Sequence, residues 1–243
     1  MGKYLKLFDT HTEYETFKQT EDFILPNVSH CIEENHVHYN PIPETRLVAI
    51  FNVTNTSQPT TICDSSAMSQ FSQIEIDGIV QPSVVSSYQF DTTGEHTIKY
   101  TLADPTTIAN FTFMGCNTLT HIIMPNTITI IGTRVLWSCS NLISVTMSDN
   151  TINIGERAFN SCSKLESIII PSNVTNIYYA AFEFCSGLNS VTSLAVTPPT
   201  LSGSAFDYTN DCPIYVPAAS LDTYKAASGW STYASRIQAI PTT

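Results

Sequence analysis

Cysteine and histidine are the residues of this chain whose types and spacing could do chemistry. Cys116, Cys139, Cys162 and Cys185 follow one another at a fixed interval of 23 residues. A ladder of thiols raises metal and disulfide readings. A zinc site needs four ligands converging tetrahedrally, usually as close Cys-x-x-Cys or His-x-x-x-His pairs. One thiol every 23 residues, with Phe and Leu for neighbours, does not provide that. Free cysteine behaves as a small buried hydrophobe, and the ladder reads as core. The remaining cysteines, Cys31, Cys63 and Cys212, carry no motif. Disulfide frameworks belong to short secreted chains, whereas this one has a core of its own.

The other ligand-like group is His30, Cys31, His36 and His38. His36 and His38 share one face of a strand. A hairpin closing around Asn35 brings His30 or Cys31 towards them, in a set that suits zinc, copper or nickel. The spacing fixes no fourth ligand, and a polar hairpin face beside Glu33 and Glu34 is the plainer reading. No metal or other cofactor is expected. The chain has no G-x-S-x-G, no H-E-x-x-H and no phosphate loop, so no enzyme is expected.

The cysteines move with their surroundings. Phe113, Leu136, Phe159 and Phe182 stand three residues before them, and Leu119, Leu142, Leu165 and Leu188 three after. Ile122, Val145, Ile168 and Val191 follow at six, and Ile108, Ile131, Ile154 and Ile177 precede at eight. A period of this length means a solenoid. Each unit divides into a strand such as Leu165 to Pro171, a second short strand such as Asn173 to Ile177, and a helical turn such as Glu156 to Cys162. The period breaks at Pro198-Pro199. A degenerate turn, a strand over Cys212 to Pro217 and a helix capped by Ser220 close the array, with Gly229 ending the helix.

Ahead of the repeats the chain reads differently. Residues 45–103 predict short strands: Leu47 to Val53, a hairpin about Asp77-Gly78, Ser87 to Phe90 and His96 to Leu102. Regular turns between short strands predict a small sandwich-like β domain that covers the open end of the repeat core. Residues 1–44 predict a strand at Tyr4 to Phe8, a turn of helix capped by Asp9 or Thr10, and a hairpin over 23–39. Domains are therefore expected at 1–44, 45–103, 104–196 and 197–243. The fold class is mainly β with short helical turns.

The 243 residues carry a net charge of −11. Residues 1–105 hold 14 acids and 5 bases, and residues 106–243 hold 7 acids and 5 bases. Neither part is basic, which argues against a nucleic-acid partner. No apolar run approaches the length of a membrane span. The opening residues, Met1 to Asp9, have neither the apolar core nor the cleavage site of a secretory signal. Met1-Gly2 is followed by Lys6 where myristoylation needs Ser or Thr.

The unit Ile154-Gly-Glu-Arg-Ala-Phe-Asn-Ser-Cys-Ser-Lys-Leu-Glu-Ser-Ile-Ile-Ile-Pro171 resembles the BspA-like class of bacterial leucine-rich repeats at every fixed position of that pattern. Other units depart from it. Ala109 and Tyr178 replace the glycine, Val135-Leu136 the Ala-Phe pair, and Ser148 the proline. The resemblance covers roughly residues 104–243, and the stretch from Thr197 to Ile240 is similar to a C-terminal cap found in gut commensal bacteria. It implies a non-enzymatic protein of a bacterial cell surface, acting in adhesion to a protein or glycan partner. Residues 1–44 resemble, more weakly, openings of uncharacterised proteins of such bacteria and their prophages. That implies an alternative role as a structural component of a phage virion or tail.

Residues that break the lattice are the candidate contacts. Trp137 stands where other units have Met114, Asn160 or Glu183, and Phe184 where they have Gly115, Ser138 and Ser161. Tyr178 and Tyr179 replace Gly155 and Glu156. These positions are mostly polar in the other units, so the aromatics are expected to face outward. They serve either as partner contacts or as packing against the cap near Tyr208. A second candidate surface is the outward ribbon of the sheet, with His121, Ile123, Thr146 and Ile169 among its Ser, Thr and Ile columns.

Overall fold

The computed structural model describes the backbone of residues 28–33 and 36–41 and the whole of residues 46–241. The strand expected at Tyr4 to Phe8 and the capped turn after it lie outside the described residues.

The repeats set two parallel sheets against each other. One runs through β9 (Thr107–Ile108), β11 (Ile130–Ile131), β13 (Asn153–Ile154), β15 (Asn176–Ile177) and β17 (Thr200–Leu201), each paired with the next. The other begins with β10 (Leu119–Ile123) and β12 (Ser144–Thr146). It resumes with β14 (Ser167–Ile170), β16 (Ser190–Ser193), β18 (Ile214–Val216) and β19 (Ile237–Ala239). The apolar columns fill the space between: the four lattice cysteines, Phe113, Phe159, Phe182 and the leucines are all fully buried. Successive Phe159, Phe182 and Phe206 rings stack nearly parallel at 5.0 and 5.3 Å. One-residue-per-turn stacking makes like meet like, so a single good contact is repeated along the axis.

The segment between the two strands differs from the expected helical turn. Arg157 and Ser161 both have positive φ, as do Arg134 and Ser138, and Ala180 and Phe184. Left-handed residues every four positions are incompatible with a helix. Alternate N–H groups bond to the next repeat instead: Phe159 to the Ala181 carbonyl and Ser161 to that of Glu183. A helix would turn those donors back on itself and leave the stacking without hydrogen bonds. The short helices lie elsewhere, at Ser65–Gln70, Ala218–Ser220, Leu221–Ala226 and Trp230–Tyr233.

Cysteine completes this scheme. The thiols of Cys139, Cys162 and Cys185 donate to the carbonyls of Phe113, Leu136 and Phe159 in the previous repeat, at 3.0, 3.2 and 3.0 Å. Burial pushes the Cys139 thiol up to about 12. Cys116 and Cys162 are raised well above the usual thiol range, again chiefly by burial. Cys139 and Cys162 are structural donors held protonated, not nucleophiles.

Residues 46–102 join the repeats edge to edge. β3 (Arg46–Val53), β8 (Gly94–Leu102), β5 (Phe71–Ile76) and β6 (Ile79–Val80) form one antiparallel sheet. β3 also pairs antiparallel with β10, placing Ala49 opposite Ile122 and Val48 opposite Ile123. A short ribbon, β4 (Thr60–Thr61) with β7 (Ser87–Tyr88), forms a second layer. The Tyr100 hydroxyl, fully buried, donates to the Ile62 carbonyl at 2.6 Å and ties the layers. Tyr100 also meets Phe113 edge-on at 5.3 Å, so the two cores are one. The Asp77-Gly78 turn has φ of 48° and 83°, as a tight hairpin requires.

The other end runs further than the break at Pro198-Pro199 implied. One extra residue enters before β17, where Ile177 faces Leu201. The main sheet nevertheless keeps its interval: Val191 pairs with Ile214, and Ile214 with Ile237. Counting 23 onward from Val191 reaches both isoleucines, a signal available in the sequence. Ser220 does not cap the helix with its side chain. Its hydroxyl donates to the Val196 carbonyl at 2.7 Å. Trp230, fully buried, donates from Nε1 to the Pro199 carbonyl at 2.7 Å and packs on Phe206 and Tyr224.

Candidate binding surface

The lattice that buries one set of side chains dictates which others reach solvent. Trp137 is half-buried on the turn side of its repeat. The Arg134 guanidinium lies 5.5 Å from its ring centre and 5.9 Å from that of Phe111. Tyr179 is similarly faced by Arg157 at 4.9 Å, and Arg157 also pairs with Glu156. Two of these cation contacts join neighbouring repeats, Arg134 to Phe111 and Arg157 to Tyr179, and local sequence does not display them.

Tyr178, Tyr179 and Phe184 are 46%, 43% and 46% exposed, and Tyr208 is 67% exposed. Phe184 and Tyr208 stack at 4.7 Å with their planes 2° apart. Both have left-handed backbones, φ 61° and 58°. The packing of Phe184 near Tyr208 is therefore present, and it leaves both rings partly in water.

The ribbon residues His121, Ile123, Thr146 and Ile169 are all half-buried on the main sheet. His121 faces Ser144 and Ile123 faces Thr146 in one ladder, while Ile169 faces Thr192 in the next. Burial holds the His121 imidazole below its usual range, against the opposing pull of Glu95 and Glu166. Its Nδ1 lies 2.9 Å from the Thr120 hydroxyl. The two candidate surfaces belong to different parts of each repeat, the turn segment and the strand, and form two separate rows.

One constellation forms only in the fold. His96 Nδ1 lies 2.7 Å from Asp77 Oδ2, and Nε2 lies 3.5 Å from the Thr92 hydroxyl. The order hydroxyl, imidazole, carboxylate is that of a nucleophile triad. However, Nε2 also sits 3.0 Å from the Thr92 carbonyl, an acceptor. Both ring nitrogens thus have acceptors of the protein itself at hydrogen-bond distance, and 3.5 Å to the Thr92 hydroxyl is at the outer limit of a hydrogen bond. The group pins the β5–β6 turn to the strand behind it, since Asp77 Oδ1 also accepts from the Thr97 N–H at 2.8 Å.

Among the described residues, no group of three or more His, Cys, Asp or Glu could hold a metal ion. The hairpin of β1 (Val28–Glu33) and β2 (His36–Pro41) sets Cys31 opposite His38 and Glu33 opposite His36. Its side chains lie outside the described residues. Among the described residues, no helix is long and apolar enough to cross a membrane.

Comparison with known proteins agrees with the lattice. A family described as "BspA type Leucine rich repeat region" matches residues 83–212 in six copies. Similarity extends to the crystal structure of a leucine rich cell surface protein from Faecalibacterium prausnitzii A2-165, at 24% identity and a TM-score of 0.43 over 55% of this chain and 33% of that one. A leucine-rich repeat protein from Bacteroides ovatus ATCC 8483 is similar at 23% identity and a TM-score of 0.44, over 56% and 36%. The chain spans about a third of the length of these structures. No curated protein matches the sequence. With a family match over more than half its length, the chain belongs to the BspA-type leucine-rich repeat family.

Proposed function

We propose that this chain is a non-enzymatic binding protein that acts in adhesion at a bacterial surface, recognising a protein or glycan partner over the outside of its solenoid. The observation that carries the reading is the placement of Tyr178, Tyr179 and Phe184. Each breaks its repeat column and each stands more than two-fifths exposed. The core does not need them, and the backbone at Phe184 disfavours them. Large aromatics in water are the usual anchors of interfaces. Stacked units of one kind extend such a surface without a catalytic pocket. Trp137 and the strand ribbon of His121, Ile123, Thr146 and Ile169 supply further contact area.

The test is binding of the full chain to mucins, extracellular-matrix proteins and a glycan array. Saturable binding to at least one is expected. Replacing Trp137, Tyr178 and Tyr179 by alanine should weaken it by about tenfold or more, as loss of interface anchors does. Ile123→Asp with Ile169→Asp asks the same of the ribbon. Absence of binding across the whole panel, or binding indifferent to both sets of changes, overturns the reading.

A further inference from the structure

The arginines of the repeat face already stack on aromatic rings. Arg134 covers Phe111 and Trp137, Arg157 covers Tyr179, and Arg236 lies 5.5 Å from the centre of Tyr233. The Arg134 and Arg157 column continues as Ala180 and then Ser204. The next exposed rings along the axis, Phe184 and Tyr208, thus have no guanidinium of this chain over them among the described contacts. Their backbone makes them more unusual still. Gly115, Ser138 and Ser161 hold the same left-handed position at φ 71°, 60° and 64°. A bulky ring is disfavoured there relative to glycine, yet Phe184 and Tyr208 are 46% and 67% exposed to water.

The chain that carries this stack is acidic, and the cation nearest Tyr208 among the described contacts, Arg236, is tied to the Phe206 carbonyl and to Thr209. From residue 165 to residue 224 the chain contains Glu166, Glu183, Asp207, Asp211 and Asp222 and not a single Lys or Arg. Glu183 directly precedes Phe184, Asp207 directly precedes Tyr208, and the Asp211 side chain is 99% exposed. Arg236 approaches Asp211 only at 4.0 Å, and its guanidinium also bonds Thr209 and the Cys212 carbonyl at 2.8 Å. An aromatic edge with acids beside it attracts a planar cation, and arginine more than lysine, because guanidinium stacks and is more weakly hydrated.

We infer that the Phe184–Tyr208 stack is a docking site for an arginine carried on a basic segment of a partner protein. The inference rests on the binding reading above and narrows its partner to a protein at this end of the solenoid. The partner's guanidinium lies against the rings as Arg157 lies against Tyr179, with the exposed Asp211 neutralising it, since Asp207 already accepts from the Tyr233 hydroxyl.

Calorimetric titration of the full chain with an acetylated and amidated peptide alternating glycine and arginine tests it, beside the same peptide with lysine. The arginine peptide should bind several-fold more tightly than the lysine one. Phe184→Gly with Tyr208→Gly leaves every charge in place and gives these positions a residue suited to their backbone. Affinity should fall by about five- to tenfold, the effect of two cation–π contacts, while the thermal midpoint holds or rises. Asp211→Asn should weaken binding by a smaller factor and steepen nothing in the arginine preference. Equal binding by wild type and the double variant assigns the attraction to acidic charge in general and overturns the site, as does failure of the wild type to bind either peptide. Neither result touches the broader binding panel, whose outcome is read with other variants and other ligands.

Discussion

The thiol of Cys162 donates to the carbonyl of Leu136, one repeat back, at 3.2 Å. The same carbonyl receives the N–H of Cys139, so each such oxygen serves two donors from two repeats. Cys162→Ala removes one donor and opens a small void in a fully buried site. A loss of about 1–2 kcal/mol in unfolding free energy is expected. Cys162→Ser keeps a donor on a shorter reach and should lose less than alanine if the bond matters. Equal losses from denaturant titrations would show that only volume counts.

The raised thiols also make stability depend on alkaline pH. Burial puts Cys63 and Cys139 at about 12 in the folded chain, against about 8.5 when unfolded. Only the unfolded state loses those protons between the two values. The stabilisation is complete below pH 8.5 and falls as pH rises towards 12, by up to about 1.4 kcal/mol per pH unit for each thiol. Thermal midpoints should fall from about pH 9 to about pH 11, and less steeply in Cys139→Ala. Native Cys63, Cys116, Cys139, Cys162, Cys185 and Cys212, all buried, should resist a thiol reagent until the chain is unfolded.

Thr151 interrupts an apolar column. Ile128 and Val174 occupy its position in the flanking repeats, and all three are buried. The Thr151 hydroxyl has no hydrogen-bond partner. Thr151→Val replaces it at nearly the same shape and should raise stability by about 1 kcal/mol or more. Chemical denaturation measures this directly, and a loss would mean that the hydroxyl has a bridging water.

Gly155 lies against the previous repeat so closely that a Cβ on it would stand 2.5 Å from the Gly132 carbonyl carbon. Backbone cannot yield as a flexible side chain can. Gly155→Ala should cost about 1–3 kcal/mol, the range of overpacking, whereas the same change at Gly203, with nothing near its Cβ, should be mild. A reversed order in thermal melts would contradict the close stacking.

At the C-terminal end, Trp230 holds the last repeat shut. Trp230→Ala should destabilise by about 3–5 kcal/mol and uncover Phe206 and Tyr224, with which it packs. Dye binding and light scattering should then report exposed apolar surface.

The apolar columns were plain in the sequence because stacking repeats every contact, so each core position is written several times. The outward aromatics were legible for the same reason, as departures from their columns. The left-handed residues were not, since Arg157, Ser161, Ala180 and Phe184 are poor advertisements for positive φ. Their conformation is imposed by N–H groups reaching to the next repeat. The junction of β3 with β10 was hidden as well: it pairs unlike segments once only, and periodicity says nothing of a contact that does not recur. The triad-like Thr92, His96 and Asp77 fall on a strand and two turns that meet only through the hairpin.

That antiparallel junction gives the main sheet a definite beginning. β3 occupies the edge of β10 where a further parallel strand would have to add. Growth by duplication on this sheet is therefore confined to positions after β10. Each inserted unit of 23 residues would advance the sheet by about 4.8 Å. The molecule is in this sense a ruler with a fixed zero, whose reach can be reset in whole graduations.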